Sequence, residues 1–326
     1  MSTLISVVIP TRNRPPLVIR AVQTALAQTI RDVEVIVVID GPDASTEQAL
    51  SRVDDVRLRV IALKQNVGGA RARNIGVQEA TGEWVALLDD DDEWLPEKLD
   101  KQIRVLSASN SLHPICACRL FARTDGGDKI WPRRRPYPNE PMSEYLLCRS
   151  SLGFGEGIIQ TSAIVVRREL LLKVPFTPQL PRHQDWDWLL RVSKLEGVSF
   201  EWVWEPLAIY NLEGGRWSVN RTSTWRESLN WANANHQHFT PRAYSYFAAI
   251  QIAPRLNLVR DYSSLPLLIR SLLRHGSFNL RALLFGVLFA GVPTTLLKKV
   301  SQANLIGKDS VHRRVECLTP PAKTIS

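Results

Sequence analysis

The stretch "ALLDDDDEWLP" (residues 86–96) places four consecutive aspartates, Asp89–Asp92, directly after an apolar run. Like charges in a row repel one another, so the end of a buried strand is a costly place for them unless something positive neutralises them. A solvated acidic turn is the simpler interpretation. The position at a strand end favours a second one, a site for a hard divalent cation such as Mg²⁺ or Mn²⁺ together with a phosphate-bearing ligand.

Apolar strands alternate with amphipathic helices around this stretch, and that pattern predicts the fold class. Strand-like runs cover residues 5–11, 33–41, 56–63 and 82–89. Helix-like runs between them cover residues 15–29, 44–53 and 68–80. This alternation predicts a Rossmann-like, mostly parallel α/β sheet with helices on both faces. Ligands of such sheets bind at the carboxyl ends of the strands, which is where Thr11, Asp40 and Asp89–Asp92 are expected.

The second half of the chain is less regular. Residues 120–141 are predicted to be loop-rich, residues 157–174 a strand running into a helix, and residues 183–194 a helix. From about residue 219 the pattern is helical and no strand is evident. We therefore expect an α/β domain over residues 1–218 and a helical region over residues 219–326.

The glycine-rich segment "NVGGARARNIG" (66–76) opens a predicted helix and contains two arginines. Backbone N–H groups at a helix N-terminus bind phosphate, and Arg71 or Arg73 could add charge. The segment matches neither of the common glycine-rich phosphate-binding motifs, so alone it is a weak indication of a phosphate site.

Further carboxylates are candidates for binding or catalysis. Asp40 ends a strand, where it either forms a turn with Gly41 or accepts a hydrogen bond from a base or ribose. Asp185 and Asp187 lie among tryptophans in "HQDWDWLLR" (183–191). Aromatic surroundings raise the pKa of a carboxylate towards that of a useful base. The alternative is an acid placed for the dipole of a helix N-terminus.

Taken in order, these segments resemble the family 2 glycosyltransferases of the GT-A fold. The resemblance covers roughly residues 4–217, and the order and spacing of the motifs make it specific. The motifs that carry it are "VVIPTRNRP" (7–15), "ALAQTIRDVEVIVVIDG" (25–41), "NVGGARARNIG", "ATGEWVALLDDDDEW" (80–94), "QTSAIVVRREL" (160–170) and "QDWDWLLR" (184–191).

The resemblance implies a role for each matching residue. Thr11 and Asp40 would contact the nucleoside, with Asp40 on the base, and Asp90 would lie near the ribose. Asp89 and Asp91 would form the D-x-D pair, with Asp91 binding Mn²⁺ or Mg²⁺ and Asp89 near it. Asp185 would be the catalytic base that deprotonates the acceptor hydroxyl. The further substrate-binding residues expected are Asn13, Gly69, Arg73, Arg216 and Trp217.

Three positions depart from the family pattern. Ile39 stands where the first acid of an Asp-Asp-Gly sequence is usual, and Gln184 replaces the glutamate that usually precedes the base. Glu213 stands where the glutamine of a QxxRW motif would be, which weakens the match of Arg216 and Trp217 and argues against a processive synthase.

Positive charge is concentrated at the C-terminal end. Residues 251–326 contain 11 Lys and Arg against 3 Asp and Glu, so they account for +8 of the net charge of +9. Residues 263–278 carry Leu265, Leu268, Ile269 and Leu272 on one predicted helical face and Arg270 and Arg274 on the other, and residues 282–297 are apolar but too short to span a bilayer. We expect a peripheral contact with an anionic membrane. A helix packed on the catalytic domain is the alternative, and nucleic acid is not expected.

The cysteines and the N-terminal segment predict the cellular compartment of the protein. No pair of the four cysteines is spaced as CxxC, which argues against a zinc site and favours a reducing, cytoplasmic environment. The segment "MSTLISVVIP" lacks the features of a secretory leader.

The function expected from the resemblance is metal-dependent, inverting transfer of a sugar from a nucleotide-diphosphate sugar, with UDP as the expected nucleotide. The acceptor would be a glycan or a lipid-linked glycan at the cytoplasmic face of the inner membrane. Two alternatives stay open. One is a non-catalytic nucleotide-sugar-binding partner in polysaccharide assembly, and the other is a nucleotidyltransferase, although "PTRNRPP" lacks the glycines that the latter needs.

Overall fold

The computed structural model describes residues 4–151, 153–212 and 224–291. The strands of this part of the chain are Ile5–Thr11 (β1), Val33–Ile39 (β2), Leu58–Ala62 (β3), Trp84–Leu87 (β4), Glu93–Trp94 (β5), His113–Thr124 (β6), Gly127–Trp131 (β7), Ile164–Arg167 (β8) and Val198–Asn211 (β9).

Helices connect and cover these strands. They are Pro15–Leu26 (α1), Ala44–Leu50 (α2), Gly69–Glu79 (α3), Lys98–Ser107 (α4), Met142–Leu147 (α5), Arg168–Lys173 (α6), Gln184–Val192 (α7), Trp225–Ala234 (α8), Pro241–Phe247 (α9), Ala253–Leu258 (α10), Leu265–His275 (α11) and Leu280–Gly291 (α12). A π-helix, Ala248–Ile252, joins α9 to α10.

One mixed sheet organises the molecule, with the strand order β3-β2-β1-β4-β8-β6-β9-β5 and β7 paired with β6. Strands β3, β2, β1 and β4 are parallel, as the alternating pattern predicts. Strand β8 then runs antiparallel to both β4 and β6, while β6 and β9 are parallel to each other. The α/β fold with helices on both faces is confirmed, and its parallel half is the first half of the chain.

The prediction for residues 120–141 was wrong in its first part. Residues 120–124 continue β6, which pairs with β7 through a hairpin. Charged side chains such as Arg123, Asp128 and Lys129 occur along this hairpin, and several of its positions are only partly buried. Apolar alternation is therefore weak here, although it is the signal by which strands are recognised.

Two hydrophobic cores lie on opposite faces of the sheet. Helices α1, α2 and α4 pack on one face through residues such as Val22, Leu50 and Leu99. The other core joins α3 and α5–α7 to the C-terminal helices, and it contains both Trp188 of α7 and Phe247 of α9. The predicted boundary between residues 218 and 219 falls outside the described residues, and the core is continuous across it.

Helix α11 matches the predicted amphipathic segment, but only some of the residues on its predicted apolar face are buried. Leu268 is buried against the C-terminal helices and Leu272 packs partly against the same core, whereas Ile269 and Leu273 are exposed. Arg270 and Arg274 lie on the same helix as these exposed side chains. Within the described residues, no helix has the length and apolarity needed to cross a membrane.

Close packing of α3 on the parallel strands depends on Gly76. A methyl group there would lie 2.4 Å from Val8 Cγ1 and 3.2 Å from Val38 Cγ2. We predict that Gly76→Ala lowers the free energy of unfolding by about 1–3 kcal/mol, because these branched side chains lie in a packed core. Urea denaturation measures the change. Gly69→Ala in the same helix is the matched control, since nothing lies within 4 Å of the added methyl group. Equal midpoints for the two variants would contradict the packing argument.

Candidate active site

A cleft of about 840 Å³ opens at the carboxyl ends of the parallel strands. Thr11 ends β1, Asp40 follows β2, and the aspartates follow β4. The fold therefore brings together residues that are far apart in the sequence. The predicted site residues that line the cleft are Thr11, Asp40, Gly69, Arg73, Asp89, Asp90, Asp91 and Asp185.

The middle two aspartates of the turn share one guanidinium. Arg14 Nη1 lies 3.1 Å from Asp90 Oδ1 and 3.1 Å from Asp91 Oδ2. Thr11 donates a hydrogen bond of 2.8 Å to Asp90 Oδ2. Burial raises the pKa of Asp90 to about 6 although Arg14 opposes the increase, while the two carboxylates raise the pKa of Arg14 against the effect of its burial.

Asp89 is held by a second, buried guanidinium. Arg73 Nη2 donates to Asp89 Oδ1 at 2.8 Å, and Gln160 Nε2 donates to Asp89 Oδ2 at 3.1 Å. The other end of the Arg73 guanidinium donates to Gln184 Oε1 at 3.1 Å. Arg73 therefore connects the acidic turn to the first residue of α7, next to Asp185.

Asp92 points into the protein and has a structural role. Its Oδ2 accepts hydrogen bonds from Gln160 Nε2 at 2.8 Å and Ser162 Oγ at 2.6 Å, and its Oδ1 accepts one from the Asn211 N–H at 3.3 Å. Burial, and then repulsion from Asp91 and Asp89, raises the pKa of Asp92 well above its ordinary value. These bonds tie the turn to the segment before β8 and to the end of β9.

Asp40 organises the loop that enters α3. Its two oxygens accept hydrogen bonds from the N–H groups of Val67, at 2.6 Å, and Gly68, at 3.0 Å. Gly68 has a φ of 86°, a conformation that favours glycine. The N-terminus of α3, with Gly69 open to the cleft, is held in place by this carboxylate. Of the two arginines considered from the sequence, Arg73 reaches the cleft and Arg71 is exposed outside it.

The two acids of α7 have different surroundings. Asp187 is buried and fully bonded, since Thr177 Oγ1, Arg191 Nε and Trp231 Nε1 all donate to it. Asp185 is half-buried and lines the cleft. Burial, and then Asp89, raises the pKa of Asp185, and Arg73 opposes the increase. Asp185 is therefore the acid of α7 that is available to a substrate.

Asn13, which is predicted to bind substrate, lies beside the cleft but is not among the residues that line it. It is exposed, has a φ of 53°, and its backbone N–H donates to Asp43 rather than into the cleft. The left-handed turn after β1 directs Arg12 and Arg14 to the cleft, and Asn13 is not among its lining residues. Arg216 and Trp217 lie outside the described residues.

Sequence reasoning missed Arg14, Gln160 and Asn211, all of which line the cleft. Arg14 lies three residues after Thr11, the last residue of β1, so its position near a strand end was a usable signal. Gln160 opens a recognised motif. Asn211 ends a strand that the sequence pattern does not reveal, and no signal identified it.

Comparison with known proteins gives the family. The model of "Glycosyl transferase family 2" matches residues 6–174, which is more than half of the chain. The chain belongs to glycosyltransferase family 2. It is 31% identical over 253 residues to the amylovoran biosynthesis glycosyltransferase AmsB of Erwinia amylovora, covering 74% of this chain and 81% of the relative. It is 28% identical over 225 residues to the putative teichuronic acid biosynthesis glycosyltransferase TuaG of Bacillus subtilis, covering 67% and 82%.

Solved structures share the fold of this family 2 glycosyltransferase. S. aureus TarS 1–349 in complex with UDP-GlcNAc has a TM-score of 0.58 at 16% identity, over 82% of this chain and 79% of that one. The mannosyltransferase PcManGT of Pyrobaculum calidifontis, in complex with GDP-Man and Mn²⁺, has a TM-score of 0.53 at 18% identity, over 94% and 86%. The expected GT-A fold is thereby confirmed.

The different surroundings of Asp185 and Asp187 predict that substitution of each acid by asparagine affects stability differently. Asp187→Asn should lower the free energy of unfolding by about 1–3 kcal/mol, because buried donors lose a charged acceptor. Asp185→Asn should leave it unchanged or raise it. The pKa of Asp185 is raised above its unfolded value, so its ionisation at neutral pH weakens the folded state. Urea denaturation of both variants at pH 7 checks this, and a larger loss for Asp185→Asn would contradict the assignment.

Proposed function

We propose that this family 2 glycosyltransferase moves a sugar from a UDP-sugar to a hydroxyl of a glycan or lipid-linked acceptor, with inversion, during polysaccharide synthesis. The single observation that carries the proposal is that Asp185 and the acidic turn Asp89–Asp91 line the same cleft. One end of the cleft suits a nucleotide diphosphate and the other a reacting hydroxyl.

The donor is proposed to lie along the strand ends. Thr11 and Asp40 border the position expected for the nucleoside, and the N-terminus of α3 at Gly69 presents backbone N–H groups that favour phosphate. UDP is proposed as the nucleotide, supported by the UDP-GlcNAc in the TarS structure, whereas PcManGT was solved with GDP-Man.

Asp185 is proposed as the general base. Its pKa is raised by burial and by Asp89, which makes it a stronger proton acceptor than an exposed aspartate. As the acceptor hydroxyl attacks the anomeric carbon, the O–H proton passes to Asp185, the new glycosidic bond forms and the bond to the diphosphate breaks. A single displacement of this kind inverts the anomeric configuration.

Asp91 is proposed to hold Mn²⁺ or Mg²⁺, with Asp89 near it. The residues fit a hard cation in one respect: Asp90 and Asp91 already converge on a positive group, the Arg14 guanidinium. Within the described ranges, no three His, Cys, Asp or Glu side chains form a complete metal site, so donor phosphate oxygens and water would complete the coordination. When bound, the ion would neutralise charge on the leaving diphosphate.

Substitution of Asp91 tests the metal assignment. Asp91→Asn removes one negative charge and one strong ligand, so we expect Mn²⁺-dependent binding of UDP to be lost while the fold remains. Isothermal titration with UDP, with and without Mn²⁺, measures the effect. Asp54→Asn, at an exposed position outside the cleft, is the control. Undiminished Mn²⁺-dependent affinity in folded Asp91→Asn would show that the ion binds elsewhere.

Substitution of Asp185 tests the base. Asp185→Asn preserves shape but cannot accept a proton, so transfer should fall about 10²-fold or more with donor affinity nearly unchanged. In the native protein kcat/KM should rise with pH as Asp185 loses its proton, and the variant should lack that rise. Transfer at the native rate would place the base elsewhere. A native protein that binds the donor but neither transfers nor hydrolyses it would be a binding partner instead.

The relatives support a role in polysaccharide synthesis, because AmsB and TuaG are described as biosynthetic glycosyltransferases for amylovoran and teichuronic acid. We propose that the enzyme works peripherally on the cytoplasmic face of the inner membrane. The exposed apolar residues Ile269, Leu273 and Phe278, together with Arg270 and Arg274, support this placement, since interfacial helices combine apolar insertion with basic side chains.

Vesicle binding tests the membrane contact. The double variant Ile269→Ser/Leu273→Ser should reduce sedimentation of the full chain with anionic phosphatidylserine vesicles several-fold. Binding of the native chain should weaken with salt, because exposed charges are screened over about 8 Å at physiological ionic strength. Leu112→Ser, an exposed apolar residue on the loop before β6, is the control. Helix α11 is not a membrane contact if the native chain does not sediment with anionic vesicles. The same conclusion follows if the double variant sediments as strongly as the native chain and the Leu112→Ser control.

A further inference from the structure

One wall of the cleft is built outside the sheet. It comes from the segment before α7, which contains Arg182, and from the C-terminal helices, which contribute Gln251 and Arg255. Gln251 lies in the π-helix Ala248–Ile252. Single π-helical turns are rare, and many of those that occur lie at functional sites.

Two arginines of this wall converge on one neutral side chain. Arg182 Nη2 donates to Gln251 Oε1 at 3.2 Å, and Arg255 Nη1 donates to the same oxygen at 3.0 Å and to the Gln251 carbonyl oxygen at 2.6 Å. Among the described residues, no carboxylate forms an ion pair with either guanidinium. Glu227 raises the pKa of Arg182, but less than burial and Arg255 lower it.

The arrangement of Arg182 and Arg255 is unfavourable when no ligand is bound. Arg182 Nη1 is buried and has no hydrogen-bond partner among the described residues. Burial, and then repulsion from Arg255, lowers the pKa of Arg182 to about 10. Partly burying two like charges costs free energy when, among the described residues, no carboxylate pairs with them. The pair is therefore better explained by a ligand that supplies an anion than by a contribution to folding.

Arg182 and Arg255 are separate from the arginines at the strand ends, where the donor is proposed to bind. Arg14 and Arg73 are already paired with Asp89, Asp90 and Asp91 at the strand ends. Arg182 lies three residues before Asp185 in the sequence, and both residues line the cleft. The two arginines therefore share the cleft with the proposed base.

We propose that Arg182 and Arg255, bridged by Gln251, form a binding subsite for an anionic group of the acceptor, a phosphate or a carboxylate close to the hydroxyl that is glycosylated. The inference rests on the proposed function, which makes Asp185 the base. A planar guanidinium pair matches either anion through charge-assisted hydrogen bonds.

Binding of small probes to the full chain tests the subsite. The chain is saturated with UDP and Mg²⁺ and titrated with glucose 1-phosphate, methyl glucuronide and neutral methyl glucoside. We expect one anionic probe to bind at least tenfold more tightly than methyl glucoside. Preference for glucose 1-phosphate identifies a phosphate-bearing acceptor, and preference for methyl glucuronide a uronic acid.

Variants then assign the affinity to the pair. Arg182→Gln and Arg255→Gln should each weaken the anionic probe about tenfold or more, as expected for hydrogen bonds to charged groups. They should leave the UDP affinity within twofold. Arg71→Gln, an exposed arginine outside the cleft, should change neither. If Arg182→Gln fails to fold, Arg182→Lys replaces it in these titrations, because lysine keeps the positive charge.

Three results would overturn the proposal. An equal loss of UDP affinity would assign the pair to the donor diphosphate. Equal binding of anionic and neutral probes would remove the anion preference. Unchanged affinity of the folded Arg182→Gln and Arg255→Gln variants for the anionic probe would assign the two arginines a role in folding alone. If the native chain binds neither UDP nor GDP, the proposed function fails, and titration of the probes without nucleotide still reports on the arginine pair.

Discussion

Neutralising four consecutive carboxylates at the end of β4 is the constraint on which the arrangement of this cleft depends. The protein satisfies these acids with side chains from several different elements. Arg14 bridges Asp90 and Asp91, Arg73 holds Asp89, and Asp92 turns inward to accept three hydrogen bonds. Because these partners come from distant parts of the chain, satisfying the charges also fixes the strand ends relative to one another.

The same contacts connect donor chemistry to acceptor chemistry. Gln160 donates to both Asp89 and Asp92, and Arg73 reaches from Asp89 to Gln184, the residue before Asp185. The Coulombic effect of Asp89 also raises the pKa of Asp185. A change of charge at the turn, such as the arrival of a cation and a diphosphate, therefore acts directly on the proton affinity of the proposed base.

The first half of the fold and most of the proposed site could be predicted from the sequence, because both depend on local signals. Apolar runs followed by Thr11, Asp40 and Asp89 mark strand ends, and the carboxyl ends of parallel strands meet at one edge. Strands β6 and β7 were harder to recognise because the hairpin they form is partly exposed and charged. The partition of the four aspartates among Arg14, Arg73 and Gln160 depends on side-chain geometry that no spacing in the sequence encodes. Spacing also does not encode the left-handed conformation of Asn13, whose neighbours Arg12 and Arg14 line the cleft.

In the proposed function, the turn after β4 and Asp185 act on one nucleotide-sugar donor in one cleft. A crystal structure of the full chain with UDP and Mn²⁺, with anomalous scattering recorded at the manganese edge, tests it most directly. We expect a single strong anomalous peak in coordination contact with Asp91, with the UDP diphosphate beside it at the N-terminus of α3. A peak away from the acidic turn, or UDP bound outside the cleft that contains Asp185, would contradict it.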